Sequence, residues 1–273
     1  MAFRFNFFEE EDLNETISAK KNVQSLPKQV SPVLKSFFYE PFCESLQHLQ
    51  WTELSIHGTG YSYLTDSSPN IYTDITPVSD LVPHVYEGGF EVWECTVDLL
   101  NFLHANNEMF NKSSSVLDLG CGAGLIGISA KRMSPVDSLV HFQDFNCDVI
   151  EHFTLKNYHR NCGDQKTHNV KFIAGDWSQM SGELHTYDFI LSSETIYNCQ
   201  SQQKVLNILM DHLAISGTAY FAAKRHYFGV GGGVIDFKEL LFQSKCFNCE
   251  NVWSNETGLL RDIIKITRIG FLS

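Results

Sequence analysis

Acidic and amide side chains follow four apolar segments of the sequence, at the point where each segment ends. They are, in chain order, Asp118, Gln143 with Asp144, Asp176, and Ser192 with Glu194. Carboxylates accept hydrogen bonds from hydroxyl and amine groups and attract cations. If the four segments are parallel strands, their carboxyl ends lie at one edge of a sheet, where open α/β folds bind their ligands. The pattern therefore predicts a single polar ligand site.

The first of these segments leads into a glycine-rich turn. Residues 115–124 read Ser-Val-Leu-Asp-Leu-Gly-Cys-Gly-Ala-Gly, and a helix is predicted from Leu125. Gly120 and Gly122 allow the backbone to approach a ligand closely. Asp118 would repel a pyrophosphate but suits a cation, and S-adenosylmethionine carries both a sulfonium and an ammonium group. The turn therefore favours this methyl donor.

The same residues also fit a dinucleotide-binding turn. Residues 122–127 satisfy the pattern G-x-G-x-x-G, and Asp144 follows at the distance expected for a ribose ligand. This pattern alone is weak support for a nicotinamide cofactor. The additional Gly120 and the preceding Asp118 favour the methyl donor, but the dinucleotide remains an alternative at this point.

The strand ends divide the predicted donor site into parts. Asp144 is expected to accept hydrogen bonds from a ribose diol. Asp176 is expected to accept one from the adenine amine, with Trp177 as an apolar wall. Ser192 and Glu194 follow the fourth strand, where the transferred methyl group should meet its acceptor.

A second glycine cluster occupies residues 229–233, after Lys-Arg-His-Tyr-Phe at 224–228. It lacks the Lys-Ser/Thr ending of a phosphate-binding loop. It is interpreted as a backbone hinge over the site, and an ordinary flexible connection is the alternative.

Strands alternate with helices from residue 84 onward, which predicts a mostly parallel sheet with helices on both faces and an antiparallel pair at its C-terminal end. Residues 84–273 are expected to form this main domain. Residues 1–35 are polar and acidic and are expected to be mobile. Residues 36–83 are expected to supply short strands or turns that pack on the main domain.

Composition restricts the function. The 273 residues carry a net charge of −12, from 20 basic and 32 acidic residues, which argues against direct nucleic-acid binding and suits a basic protein partner. The eight cysteines show no pairing pattern, and the pair Cys246 and Cys249 lacks further ligands, so no metal site is expected. No signal peptide and no membrane span are predicted, which indicates an intracellular protein with reduced thiols.

Several motifs together resemble the class I methyltransferases, and most closely the histidine protein methyltransferases of the methyltransferase-like group. The resemblance covers residues 84–269 and the Phe-rich start at 3–7. Its motifs are residues 85–89 with 92–96, 117–122, 141–144, 192–197 and 226–233. It implies a seven-stranded class I methyltransferase sheet, mostly parallel with an antiparallel C-terminal strand.

The resemblance also implies the residues that contact S-adenosylmethionine. They are Val92, Trp93, Glu94, Cys95, Thr96, Gly120, Gln143, Asp144, Phe145, Gly175, Asp176, Trp177 and Ser192. The free amides at the start of the helix near Glu94 suit the carboxylate of the donor, while Glu94 itself is expected to hold the ammonium group.

The implied activity is methyl transfer to one histidine nitrogen of a large-subunit ribosomal protein, of the type called ribosomal protein L-three. We expect Glu194 to accept a hydrogen bond from the ring nitrogen that is not methylated, with Tyr197 and His226 orienting the ring. A monomer in the cytoplasm or nucleus, including the nucleolus, is expected. A protein-lysine methyltransferase and a non-catalytic donor-binding assembly factor remain alternatives.

Overall fold

The computed structural model describes residues 34–38, 46–65, 88–112, 114–163 and 169–270. Its strands are β1 (Lys35–Phe38), β2 (Trp51–Ile56), β3 (Thr59–Leu64), β4 (Ser115–Leu119), β5 (Leu139–Asp144), β6 (Val170–Ala174), β7 (Tyr187–Ser193), β8 (Leu213–Lys224), β9 (Phe247–Ser254) and β10 (Arg261–Arg268). The predicted mobile segment, residues 1–35, lies outside the described ranges apart from its last two residues.

Five longer helices connect the strands in these ranges. They are α1 (Glu94–Ala105), α2 (Leu125–Met133), α3, α4 (Cys199–His212) and α5 (Val234–Ser244). Helix α3 is continuous but contains a π-helical stretch, and its parts are Cys147–Val149, Ile150–Thr154 and Leu155–Cys162. Short 3₁₀ turns cover Leu46–His48, Asn107–Phe110 and Trp177–Gly182. A helix able to cross a lipid bilayer is absent from the described part of the chain.

The strands in the described ranges form an eight-stranded sheet in the order β1-β6-β5-β4-β7-β8-β10-β9, and β2 and β3 form a separate hairpin. The five strands from β6 to β8 in this order are parallel to their neighbours. Strand β10 pairs antiparallel with both β8 and β9. The predicted α/β sheet with an antiparallel C-terminal end is therefore confirmed.

The predicted number of strands, seven, is wrong. The additional strand is β1, which pairs antiparallel with the edge strand β6, from Lys35 opposite Ala174 to Phe38 opposite Lys171. It covers the edge of β6 that the predicted sheet leaves open. An unpaired edge exposes backbone N–H and C=O groups, so an added strand there satisfies them.

The helices cover both faces of the sheet, as predicted. Val116 packs on one face in a cluster that includes residues of α1, α2 and α3. The next residue, Leu117, packs on the opposite face with residues of α4 and α5. Both side chains are fully buried. Successive strand residues point to opposite faces, so the adjacent apolar residues of β4 are explained by its position in the middle of the sheet.

The hairpin of β2 and β3 packs against the helices on the first face. The Tyr61 hydroxyl lies 2.7 Å from Nε2 of His104 in α1 and donates to Oγ of Ser129 in α2 at 2.9 Å. Asn157 in α3 accepts a hydrogen bond from the backbone N–H of Leu64 at 3.0 Å. The hairpin is thereby attached to three helices by buried polar contacts.

Candidate active site

A cavity of about 1060 Å³, which includes the solvent at its mouth, opens at the carboxyl ends of β4, β5 and β7. The chain runs from β4 outward to β5 and β6, and then returns to place β7 on the other side of β4. Such a reversal of strand order is where open α/β sheets bind ligands. The residues that line the cavity include Gly89, Trp93, Thr96, Gly120, Gly122, Asp144, Phe145, Asp176, Trp177, Ser193, Glu194, Tyr197 and Lys204.

The glycine turn after β4 forms the floor of this cavity. Gly120 and Gly122 have φ angles of +64° and +48°, a conformation that favours glycine. A Cβ atom on Gly120 would lie 2.4 Å from Cγ2 of Thr195, and one on Gly122 would lie 3.0 Å from the carbonyl oxygen of Gly89. Both positions therefore require glycine for conformation and for space.

Asp144 joins the turn to the end of β5. Its Oδ2 accepts a hydrogen bond from the backbone N–H of Gly122 at 2.9 Å, and its Oδ1 accepts one from Asn146 at 3.1 Å. A carboxylate has about four lone-pair positions. The side chain also lines the cavity, where it was predicted to accept from a ribose hydroxyl.

Gln143 lies behind the cavity wall and does not line it. Its side chain is fully buried. Its Oε1 accepts a hydrogen bond from the indole of Trp177 at 2.6 Å, and its Nε2 donates to the carbonyl of Gly175 at 3.0 Å. Gln143 and Gly175 therefore position the Trp177 wall instead of contacting a ligand directly, while Trp177 and Phe145 line the cavity.

Asp176 lines the cavity but is already engaged with two residues, Lys204 and Ser178. Its Oδ2 lies 2.6 Å from Nζ of Lys204, and its Oδ1 accepts from the backbone N–H of Ser178 at 2.8 Å. Burial by itself would raise the pKa of Asp176, but the hydrogen bonds from Lys204 and Ser178 outweigh it, so the pKa lies below its usual value. Asp176 is therefore a carboxylate at neutral pH, available to a ligand through its remaining lone pairs.

Asp118 has a different position from the one predicted. It is fully buried beneath the turn and is not among the lining residues. Its Oδ2 accepts a hydrogen bond from the backbone N–H of Gly127 at 2.7 Å, and its Oδ1 has no hydrogen-bond partner among the described residues. Burial raises the pKa of Asp118 to about 8. Asp118 therefore holds the start of α2 and, being protonated at neutral pH, does not present a negative charge to a cation.

The segment at the start of α1 contributes two residues, three positions apart, to the lining of the cavity. Trp93 and Thr96 line the cavity, whereas Cys95 is buried behind it and Val92 and Glu94 are not among the lining residues. The Thr96 hydroxyl lies 2.9 Å from that of Ser193, which ties α1 to the end of β7. Glu94, predicted to hold the donor ammonium, lies 3.8 Å from the Arg261 guanidinium instead.

Glu194 lies in the part of the cavity that was predicted to hold the methyl acceptor. It has a φ of +58°, an uncommon conformation for a non-glycine residue. Its Oε2 accepts a hydrogen bond from the hydroxyl of Tyr227, and its Oε1 lies 3.8 Å from Nζ of Lys224. Burial raises the pKa of Glu194, and the Lys224 charge opposes that rise. Glu194 is therefore a buried residue that lines the cavity and whose carboxyl group contacts Tyr227 and Lys224.

The other predicted residues near Glu194 divide between the cavity and its surroundings. Tyr197 lines the cavity. Ser192 is buried and donates to the carbonyl of Leu119 at 2.7 Å, so that its neighbour Ser193 lines the cavity instead. His226 is exposed and lies outside the lining, with its ring centroid 6.4 Å from that of Phe228. The structure therefore does not bring His226 into the acceptor site.

Tyr227 and Lys224 were not predicted as site residues. Both are buried beside Glu194, and the signal that indicates them is their place at the end of the apolar strand β8. The glycine cluster after them is closely packed, because a Cβ on Gly232 would lie 2.6 Å from the carbonyl of Tyr197, and one on Gly233 would lie 2.4 Å from that of Arg225. Close packing, and not a hinge, accounts for glycine at these two positions.

Residues 84–229 match a protein family described as lysine methyltransferase. This match covers more than half of the 273 residues. The chain belongs to this methyltransferase family. It is 38% identical over 200 residues to the Histidine protein methyltransferase 1 homolog of Dictyostelium discoideum, which covers 72% of this chain and 63% of that relative. It is 33% identical to the homolog of the same name from Bos taurus, over 89% of this chain and 71% of that relative.

Relatives named for lysine are aligned over less of the chain. The Protein N-lysine methyltransferase METTL21A of Xenopus tropicalis is 30% identical over 39% of this chain and 46% of that protein. Among solved structures, the N-methyltransferase NodS of Bradyrhizobium japonicum, in complex with S-adenosyl-l-homocysteine, has a TM-score of 0.51 and 16% identity, over 64% of this chain and 87% of that one. This likeness shows that the chain shares the class I methyltransferase fold. The chain spans about three fifths of the length of its Dictyostelium relative and of the Histidine protein methyltransferase 1 homolog of Rattus norvegicus.

S-adenosylmethionine is the methyl donor of this class of methyltransferases, and the cavity residues fit it. The turn at Gly120 and Gly122 offers backbone at a position that a Cβ would fill. Asp144 offers acceptor capacity for a ribose, and Trp177 with Phe145 offers an apolar surface for a base.

Proposed function

We propose that this chain is an S-adenosylmethionine-dependent protein-histidine N-methyltransferase. The observation that carries the proposal is the position of Glu194, a buried acidic residue that lines the cavity together with Tyr197. An imidazole N–H is a suitable donor to a carboxylate. The more extensive match to relatives named for histidine than to those named for lysine supports the same acceptor.

The bound donor supplies an electrophilic methyl group on a sulfonium. A neutral imidazole already carries a lone pair on one ring nitrogen, because its unperturbed pKa is about 6.5. Glu194 accepts the N–H of the other nitrogen, which fixes the tautomer and aims the lone pair at the methyl group. As the N–C bond would form, the C–S bond of the sulfonium would break, the donor would leave as a neutral thioether, and positive charge would develop on the ring. Glu194 stabilises that charge and takes the released N–H proton, which then passes to water.

Two tyrosines near Glu194 position the carboxylate and the acceptor ring. Tyr227 donates to Glu194 Oε2 and so holds the carboxylate in one orientation. Tyr197 lies at the same end and offers a ring against which the imidazole can pack. Positioning of the reacting atoms by such contacts contributes much of the rate enhancement in a displacement reaction.

The proposed substrate is a basic large-subunit ribosomal protein, of the type called ribosomal protein L-three, reached in the cytoplasm or nucleus by a monomeric enzyme. The net charge of −12 supports a basic partner, because complementary charge raises the rate of encounter. Raising the salt concentration should therefore slow substrate capture. An unchanged rate at high salt would contradict this part of the proposal.

Lysine is the second candidate acceptor, because the matched family is described as lysine methyltransferase. To separate the two, the chain is incubated with methyl-labelled S-adenosylmethionine and large-subunit ribosomal proteins, and the products are hydrolysed in acid. We expect labelled methylhistidine. Label in methyllysine alone would replace the proposal, and donor binding without any transfer would indicate a non-catalytic binding protein.

The role of Glu194 is tested by Glu194→Gln. We expect methyl transfer to fall by about a hundredfold while donor affinity, measured by calorimetry, changes little, because the carboxylate acts on the acceptor. Glu183→Gln is the matched control, since Glu183 pairs with Lys171 outside the cavity. Full activity of Glu194→Gln would contradict the assigned role.

A further inference from the structure

We propose that Lys224 makes the acceptor end of the cavity selective for an uncharged nucleophile, so that an imidazole is accepted and a lysine ammonium is rejected. The inference rests on the proposed function, because it assigns the choice of acceptor at the same site to a residue behind its wall. Lys224 is a specificity-determining residue in this sense and does not itself line the cavity.

The position of Lys224 supports this role. It is the last residue of β8 and is 4% exposed. Its Nζ lies 3.8 Å from Oε1 of Glu194, 5.7 Å from the centre of the Trp93 ring and 5.5 Å from that of Tyr227. Glu194 and Trp93 both line the cavity. The side chains of Glu194 and Trp93 therefore lie between the Lys224 ammonium and a group that occupies this end of the cavity.

The other ionisable groups around Glu194 do not supply this charge. They are Glu94 and Cys95 on α1 and Tyr227 after β8. Burial raises the pKa of the Cys95 thiol and of the Tyr227 hydroxyl, so both are neutral at pH 7. Glu94 faces Arg261. Within the described ranges, Lys224 is the cation that lies within 4 Å of Glu194.

Charge balance then determines the acceptor. A buried carboxylate without a partner attracts a cation, and a substrate ammonium would satisfy it. Lys224 already neutralises Glu194, so a second ammonium would meet a like charge in a poorly solvated site. Two like charges a few ångströms apart in such a site reduce binding by about tenfold or more. A neutral imidazole avoids this repulsion and still donates its N–H to Glu194.

The test compares Lys224→Met with Lys224→Arg, which keeps the charge. Each variant is incubated with labelled donor and large-subunit ribosomal proteins, and the ratio of methylhistidine to methyllysine is measured after hydrolysis. We expect Lys224→Met to lower this ratio by about tenfold or more, and Lys224→Arg to stay close to the unmodified chain. Lys265→Met, on β10 and outside the cavity lining, removes the same charge and should leave the ratio unchanged.

A pH profile provides a readout that a purely structural role would not change. Lys224 holds down the pKa of Glu194, so its removal should move the rising limb of the activity profile to higher pH. Donor affinity, measured by calorimetry, should change by less than about threefold. A Lys224→Met variant with the original product ratio and pH profile would overturn the proposal.

The unmodified chain offers a second measurement that does not depend on how well the variant folds. Imidazole and n-butylamine are compared as inhibitors of methyl transfer at pH 8, where the first is neutral and the second is charged. We expect imidazole to inhibit at a concentration about tenfold lower, and equal inhibition would overturn the proposal. Labelling of lysine alone by the unmodified chain would contradict the proposed function itself. Labelling of histidine, with the Lys224→Met and inhibition experiments showing no difference, would contradict only the role of Lys224.

Discussion

The carboxylate of Asp144 accepts a hydrogen bond from the backbone N–H of Gly122 at 2.9 Å, and thereby joins the end of β5 to the glycine turn after β4. The two residues come from neighbouring parallel strands, β4 and β5. One side chain thus shapes the turn and also faces the cavity. Loss of its carboxylate should affect stability and donor binding together.

Asp144→Ala should weaken binding of S-adenosylmethionine by about tenfold or more and lower the free energy of unfolding by about 1–3 kcal/mol, because the buried Gly122 N–H loses its partner. Asp144→Asn keeps an acceptor oxygen and should lose less stability. Calorimetry and urea unfolding measure the two effects. Asp137→Ala, at an exposed position, is the control for charge, and unchanged donor affinity in Asp144→Ala would contradict the assignment.

Gly120→Ala should disrupt the cavity more than its backbone strain alone predicts. Its φ is +64°, and the added Cβ would lie 2.4 Å from Thr195. Gly258 has a φ of +77° with nothing near its Cβ position, so Gly258→Ala should cost only the left-handed conformation, about 1–2 kcal/mol. We expect both variants to be destabilised in urea unfolding, and only Gly120→Ala to lose donor binding. Equal donor affinity in the two variants would contradict the close approach.

Asp118 should make stability depend on pH. Its pKa in the folded chain is about 8, above the ordinary value of 3.8, so folding favours the protonated form. This contribution is fully present below pH 4 and is lost as the pH rises towards 8. Asp118→Asn cannot titrate, so its free energy of unfolding should fall less between pH 5 and pH 8 than that of the unmodified chain. Parallel pH profiles for the two would contradict a buried, protonated Asp118.

Tyr61→Phe should loosen the β2–β3 hairpin without altering the cavity. The variant leaves His104 and Ser129 without the hydroxyl that lies 2.7 and 2.9 Å away, and this should cost about 1–3 kcal/mol in unfolding free energy. Tyr63→Phe, at a half-buried position of the same hairpin, is the matched control and should cost less. Donor affinity should be unchanged in both. A loss of donor binding in Tyr61→Phe would show that the hairpin supports the site.

Local patterns in the sequence predicted most of the sheet and its helices. Helix α2 begins at Leu125, as the glycine turn indicates, and strands alternate with helices after residue 84 as predicted. Short strands were expected within residues 36–83, but the pairing of β1 with β6 in the main sheet was not predicted. The four residues of β1 form an edge strand whose pairing with β6 depends on a contact across more than 130 residues, and no local pattern encodes such a pairing.

The predicted site residues lie in segments that border the cavity, but not all of their side chains face it. Ser192 and Ser193 alternate across β7, and only the second faces the cavity. His226 is exposed, whereas the adjacent Tyr227 is buried against Glu194. A one-residue change in register moves a side chain to the opposite face of a strand. Sequence spacing located these segments, while the choice between neighbours required the packed structure.

Helix α3 contacts both the glycine turn after β4 and the β2–β3 hairpin, and so fixes their relative orientation. On the segment Ile150–Thr154, the Thr154 hydroxyl donates to the carbonyl of Gly122 at 2.7 Å, and one turn later Asn157 donates to the carbonyl of Ala123 and accepts from the hairpin. Removing one residue from a helix rotates its C-terminal part by about 100° relative to its N-terminal part. Insertion or deletion of a residue within this helix would therefore break its contacts with either the glycine turn after β4 or the hairpin. Substitutions that keep the length of α3 preserve both sets of contacts.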